Sequence, residues 1–389
     1  MSDILKSGQT VYLESSKSPC IVQHFLGGGT QGEVYQAAVA GRSVALKWFY
    51  PHYLQQDTLL RQRLERLIKL GPPSDRFLWP LELASADGIP AFGYVMPLRG
   101  DRFKGITALM KREVEPGFRT LTTAGFELAH SFLQLHSMGL CYRDISFGNA
   151  FLDPDSGEIR ICDNDNVDVN RKPGVIAGTP RFMAPEIVNG TGAPCAQSDL
   201  HSLAVLLFYL FVLHHPLEGE QEARIRCFDL PAQQRIYGSN AVFIFDPHDA
   251  SNRPVKGFHD NALAFWPLYP AFFRKLFTNA FTAGIKDPQN SRVRESEWRS
   301  ALVCLRDSII YCACGKENFY DADALRASGK PSRCWSCNNE LRLPYRMRIG
   351  NNIVMLRSLP GLPADNPATR ASSSLIQEMG HFWINPAEG

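Results

Sequence analysis

The chain has 389 residues, 44% of them hydrophobic, enough for at least one large core and for two or three domains. Its 41 basic and 39 acidic residues nearly cancel, so no strong field selects nucleic acid or an anionic membrane. This composition excludes an intrinsically disordered chain and leaves any partner to be chosen by local features.

The opening stretch MSDILKSGQT has neither a basic start nor an apolar run of signal-peptide length, which predicts a cytoplasmic protein. From Cys20 to Trp48 the segments CIVQHFL, VYQAAVA and SVALKWF read as strands, with a turn at Gly41-Arg42. Between Asp57 and Leu70 the period becomes helical, with Leu60, Leu64 and Leu67 on one stripe and Gly71-Pro72-Pro73 as the stop. Strands are predicted again over Phe77 to Leu83 and Ala91 to Met96.

Past Arg99 the pattern is helical over Leu121 to His136, Asp199 to Leu213 and Tyr269 to Phe281. The apolar run Leu203 to Leu213 is far shorter than the roughly 20 residues a bilayer requires, so it reads as a buried core helix and no membrane span is expected. Residues 231 to 268 read as a long ordered insertion. The order predicts an α+β chain with a β-rich lobe over 1–98, a helical lobe over 99–307 and a cysteine-bearing module over 308–345. A tail over 346–389 follows, in which RMRIGNNIVM alternates like a hairpin and residues 358 to 374 read as disordered.

Leu26-Gly27-Gly28-Gly29-Thr30-Gln31-Gly32-Glu33-Val34 fits a glycine-rich hairpin whose backbone N–H groups approach phosphates, although a ligand-free glycine turn would look the same. Lys47 follows within the apolar strand Val44-Ala45-Leu46, where an ammonium is costly to bury without an anionic partner. Tyr142-Arg143-Asp144-Ile145-Ser146-Phe147-Gly148-Asn149 supplies a carboxylate and a carboxamide, and Asp163 follows the strand-like IRIC. Gly178-Thr179, Ala184-Pro185-Glu186, Asp199 and Arg292 complete the series.

In this order and spacing the chain resembles the eukaryotic-type Ser/Thr protein kinases over roughly residues 20 to 306. The resemblance implies a bilobal kinase fold and ATP and Mg²⁺ as ligands. Gly27, Gly29 and Gly32 match the loop over the phosphates, Lys47 the lysine on the α- and β-phosphates, and Asp144 the base. Asn149 and Asp163 match the two Mg²⁺ ligands. Leu26, Val34, Ala45 and Phe151 would sandwich the adenine, with backbone near Met96 to Arg99 on its edge. Glu186 and Arg292 match a structural ion pair, and Thr179 a substrate-positioning threonine.

Four positions depart from the family. Tyr142 stands for its histidine. Ser146 stands for the lysine that contacts the transferred phosphate. Asp163-Asn164-Asp165 stands for Asp-Phe-Gly, which predicts a loop fixed in one state. Asp165 either adds a metal contact or is a solvated turn residue. Glu65 is the candidate helical partner of Lys47, but at about 100° per residue it lies roughly 115° from the leucine stripe, so a surface role stands beside the pairing. Arg143 matches the arginine that usually meets a phosphorylated residue. Between Asn164 and Phe182 the only hydroxyl side chain is Thr179, so no phosphorylation switch is expected there.

Of ten cysteines, six are scattered and read as core or surface filling, whereas Cys312, Cys314, Cys334 and Cys337 form two close pairs. Pairs in tight turns suit tetrahedral Zn²⁺ in a closed structural site, with free thiols or a redox pair as the other readings. Gly315 and Asn338 suit the left-handed turns such pairs need. Trp335, Phe319 and Tyr345 would either bind a partner or pack on the helical lobe. Kinase, zinc ribbon and the WPLEL stretch together resemble bacterial kinases associated with von Willebrand-type domain proteins and a metal-dependent phosphatase in stress or tellurite-resistance loci. A protein substrate is implied. A nucleotide-binding pseudokinase scaffold, and a transferase acting on a small molecule or moving AMP, are the competing functions.

Overall fold

The computed structural model describes residues 4–170 and 178–343, together with the backbone of strands Tyr345–Ile349 and Asn352–Leu356. The β-rich part comprises β1 (Thr10–Leu13), β2 (Pro19–Gly28), β3 (Gly32–Val39), β4 (Arg42–Phe49), β5 (Glu82–Ser85) and β6 (Phe92–Pro97). They close into a barrel in the order β1-β2-β3-β4-β6-β5, with β1 paired to β5. Alternation along the strands sends Val11, Cys20, Val22, Tyr35 and Trp48 into one apolar cluster. β3 and β4 are joined through Ala40 and Gly41, both at positive φ, one residue earlier than the expected turn.

After β4 come α1 (Pro51–Gln56) and α2 (Leu60–Leu70). Leu60, Leu64 and Leu67 of α2 are fully buried, each contributing about 1.5–3 kcal/mol by its removal from water. Gly71, at φ 79°, ends the helix with its N–H on the Leu67 carbonyl. The strand expected over Phe77 to Leu83 shrinks to β5. Upstream of it, Phe77 bridges to Ile161 and the Leu78 N–H donates to the Ile161 carbonyl at 2.8 Å. These backbone groups tie the barrel to the helical lobe instead of extending the sheet.

The helical lobe is built around Ala196–Val212, in which every residue from Ser198 to Val212 is buried, as an all-round apolar helix must be. Helices Phe118–Ser137, Ala271–Phe281 and Glu295–Asp307 share its cluster through Phe132, Phe277 and Trp298. The segment 231–268 is ordered: its helices Leu230–Gln234 and Asp260–Phe265 flank a loop pinned by Asn252, whose amide donates to the Leu217 and Val242 carbonyls.

Strands Ile309–Tyr311 and Glu317–Phe319 form an antiparallel pair after the last of these helices. Phe319 is buried against Phe118 and Tyr269, with ring centroids 4.6 and 5.5 Å away. The Glu317 carboxylate accepts the Arg119 N–H at 2.9 Å, at the start of helix Phe118–Ser137. The cysteine module therefore packs on the helical lobe. Tyr345–Ile349 and Asn352–Leu356 pair as an antiparallel hairpin. The expected disorder over residues 358 to 374 lies outside the described residues, as does the side chain of Tyr345.

Candidate active site

Lys47 sits on β4, and its ammonium is 4% exposed. Its three N–H groups meet Gln31 Oε1 at 2.7 Å, Asp163 Oδ1 at 3.1 Å and Asp165 Oδ1 at 3.0 Å. Burial alone would lower its pKa, but the two carboxylates outweigh it and hold the group above the ordinary lysine range, so it stays charged.

The expected pairing of Lys47 with Glu65 does not form. Glu65 is half exposed and pairs with Arg61, one turn away on the same helix. The inward position on α2 belongs to Arg63, whose Nε donates to the Asp165 carbonyl at 2.8 Å and whose Nη2 meets Asp57 at 2.6 Å. Asp165 is not a solvated turn residue. It is fully buried, bonded to Lys47 and accepting the Tyr94 hydroxyl at 3.1 Å. It supplies the counter-charge that Glu65 was expected to supply.

Asp163 adopts a left-handed backbone, φ 51°, and its side chain is 40% exposed. Asn164 is buried and donates to the Leu78 and Ile161 carbonyls at 2.9 and 3.1 Å. Polar bonds to fixed main chain thus hold the segment where an aromatic ring would only pack. Tyr142 is likewise buried, edge-on to Phe132, with its hydroxyl on the Cys162 carbonyl.

Asp144 accepts Thr179 Oγ1 at 2.7 Å and Asn149 Nδ2 at 3.2 Å. Burial raises its pKa, and these two hydrogen bonds only partly offset the rise. Asn149 spends its amide nitrogen on Asp144, which leaves the side-chain oxygen for a cation. Asp199 anchors the loop by accepting the N–H groups of Tyr142 and Arg143 at 2.5 and 3.0 Å. Among the described residues no lysine or arginine forms an ion pair with Asp144. Glu186 pairs with the buried Arg292 at 2.7 Å.

The glycines divide by role. A Cβ at Gly27 or Gly29 would meet nothing, leaving open space over the loop. One at Gly32 would lie 2.1 Å from the Trp48 carbonyl, so the close approach of β3 to β4 is what requires glycine there. Ala45 and Met96 are buried and Val34 half-buried, whereas Leu26 is exposed at the lip. The Arg99 guanidinium lies 4.0 Å from the centre of the Phe151 ring.

The sulfurs of Cys312, Cys314, Cys334 and Cys337 all lie within 4.8 Å of one another, with 3.5 Å between Cys312 and Cys337 and 3.7 Å between Cys314 and Cys334. Four thiolates about 2.3 Å from one Zn²⁺ would be about 3.8 Å apart, so the donor set fits. Against the cost of burial, N–H groups of Cys337, Ser336 and Asn318 hold the Cys334 thiol below its usual range. Gly315 and Asn338 take positive φ, 81° and 59°. Trp335 is half exposed, and its indole N–H meets the Glu317 carbonyl at 2.7 Å.

Sequence reasoning missed Gln31, Arg63, Arg66, Tyr94 and Asp168. Arg63 left a signal, since it shares the leucine face of α2. The others left none, because their partners are distant in the chain.

Residues 110–267 match the protein kinase domain family. The chain is 31% identical over 211 residues, 51% of its length, to the DNA damage-responsive serine/threonine-protein kinase RqkA of Deinococcus radiodurans. It is 29% identical over 211 residues to the serine/threonine-protein kinase PknK of Mycobacterium bovis, and 37% over 97 residues, 24% of the chain, to a putative ribosomal protein S6 kinase alpha-1 of Caenorhabditis elegans. The matched segment spans 30%, 18% and 12% of those relatives respectively. Residues 110–267 are thus similar to protein kinase domains, and the first two of these relatives are serine/threonine-protein kinases by name. No helix among the described residues is long and apolar enough to cross a membrane.

Proposed function

We propose that the protein transfers the γ-phosphoryl group of ATP to Ser or Thr hydroxyls of a protein substrate. What carries the reading is the convergence from distant parts of the chain of Lys47 with Asp163 and of Thr179 with Asp144, whose loop also holds Asn149 against it.

Asn149 and Asp163 would hold Mg²⁺, which when bound neutralises charge on the phosphates and their transition state. Lys47, already charged, exchanges Gln31 for α- and β-phosphate oxygens, while the loop around Gly27 and Gly29 closes over them. Val34, Ala45, Met96 and Phe151 surround the adenine, and the Pro97 carbonyl and Arg99 N–H meet its edge. Thr179 and Asn149 fix the Asp144 carboxylate against the incoming hydroxyl. The substrate oxygen bonds to the γ-phosphorus as the bond to the β,γ-bridging oxygen breaks; the hydroxyl proton passes to Asp144 and ADP leaves.

The four cysteines form a structural zinc ribbon, with the lobe boundaries near residues 98, 307 and 345. A von Willebrand-type domain protein and a metal-dependent phosphatase are candidate partners, a reading supported by likeness in WPLEL, the Asp-Asn-Asp triplet and the ribbon. Labelled ATP tests the whole reading with casein as acceptor. Label from γ-labelled but not α-labelled ATP should reach the protein, and Asp144→Asn should abolish at least about 99% of it. Transfer of α-label would establish AMP transfer, and nucleotide binding with no transfer a scaffold.

A further inference from the structure

Asp168 heads the two-residue strand Asp168–Val169, which pairs with Leu140–Cys141 just before the catalytic loop. Its carboxylate is 3% exposed and, among the described residues, engages arginines from different lobes: Arg66 of α2 at Oδ1 and Arg143, next to the base, at 3.6 Å on Oδ2. Oδ1 also accepts the Val169 N–H at 2.8 Å. Arg143 is 2% exposed, in a left-handed conformation at φ 73°, with its N–H fixed on Asp199. A buried guanidinium in that position requires an anion.

By resemblance, a phosphorylated residue would supply that anion. Here the only hydroxyl side chain between Asn164 and Phe182, that of Thr179, is engaged with Asp144. We propose that Asp168 is a built-in anion that replaces the phosphate, clasping α2 to the catalytic loop so that the site is assembled without modification of residues 164–182. The consequence reaches Lys47 through α2. Arg63, one turn before Arg66, holds the Asp165 carbonyl, and Asp165 holds Lys47. In this clasp the helix and the catalytic loop bring arginines, and the segment after Asp163 brings the carboxylate. Asp168 is therefore a positioning residue, acting through Arg143 and α2.

This inference rests on the kinase reading, so its test has one arm that needs no activity. In the full-length chain, Asp168→Asn should speed amide hydrogen exchange in α2 relative to the barrel strands; unchanged exchange overturns the proposal even if the chain transfers no phosphate. In the activity arm, phosphatase-treated protein with casein and γ-labelled ATP should turn over as fast as untreated protein. Asp168→Asn and Arg66→Gln should each lower kcat about tenfold or more, with KM for ATP changing less than about threefold. The double variant should be no slower than the slower single variant within about twofold, because both remove one clasp. Asp168→Glu should recover part of the loss. Multiplying losses, Asp168→Asn keeping more than half of kcat, or an activating phosphate within 164–182 overturns the proposal. Where Asp168→Asn does not fold, the half-exposed Arg66 decides: loss in Arg66→Gln with recovery in Arg66→Lys supports the clasp, and wild-type turnover in Arg66→Gln ends it.

Discussion

Lys47 and Asp165 show how one carboxylate can replace another from a different part of the fold. The ammonium needs a permanent counter-charge when no phosphate is present, and Asp165 provides it at 3.0 Å with no exposure of its own. Hydrogen bonds to charged groups contribute about 1.5–3 kcal/mol, and about 1.4 kcal/mol is a factor of ten in rate. Asp165→Asn should therefore slow phosphate transfer by about 10- to 100-fold, whereas Glu65→Gln should stay within about twofold of wild type. Steady-state kinetics on the two variants checks this, and the reverse ranking would reinstate the helical glutamate. The glycines teach a similar lesson: Gly27 and Gly29 fit a phosphate loop, while Gly32 answers to the Trp48 carbonyl.

Helix α2 carries the clearest lesson at the level of elements. Its leucines were legible as a stripe, and Arg63 lies on the same face, three residues after Leu60 and directly before Leu64. An arginine on a buried face demands a buried acceptor, but the sequence does not say which; the fold offers the Asp165 carbonyl and Asp57. Helix Phe118–Ser137 makes the same point at its other end. His136 lies between Asp199 and Glu295, and burial, which would lower its pKa, is outweighed by these two acceptors, so it rises to about 9. A histidine raised in the folded state stabilises the fold fully below its unfolded pKa, near 6.5, and loses that contribution as pH climbs through about 9. The term is on the order of 3 kcal/mol at most. Denaturant titrations from pH 6 to 10 should show wild-type stability falling through this window, and His136→Gln should be less stable at pH 6 with a flatter profile. Parallel curves would remove His136 from the network.

Over the whole molecule, the cysteine module and the helical lobe share a contact surface. Phe319 is buried between Phe118 and Tyr269, and Glu317 caps the helix that leads toward the Tyr142–Asn149 loop. Losing the cap and part of the aromatic burial would cost about 1 and 1.5–3 kcal/mol. At about 2–4 °C per kcal/mol in domains of this size, Cys334→Ser or removal of zinc by a chelator should lower Tm by about 5–16 °C. Elemental analysis should return one zinc per chain before treatment. A metal-free protein with unchanged Tm would show that the four thiols need no ion.

The sequence alone determined the β-rich start and the helical part after it, the glycine-rich stretch before Lys47, the buried helix around Leu203 to Leu213 and the cysteine pairs. Those features are written in local spacing: periodicity, turn glycines and short motifs whose members act together within a few residues. Tertiary structure decided the counter-ions. It chose Asp165 over Glu65 for Lys47, joined Arg66 and Arg143 through Asp168, closed the barrel with β1 against β5, and seated Phe319 on Phe118. A charge acts through space and is satisfied by whatever opposite charge or dipole the fold brings within about 3 Å. Periodicity and spacing carry no record of that distance.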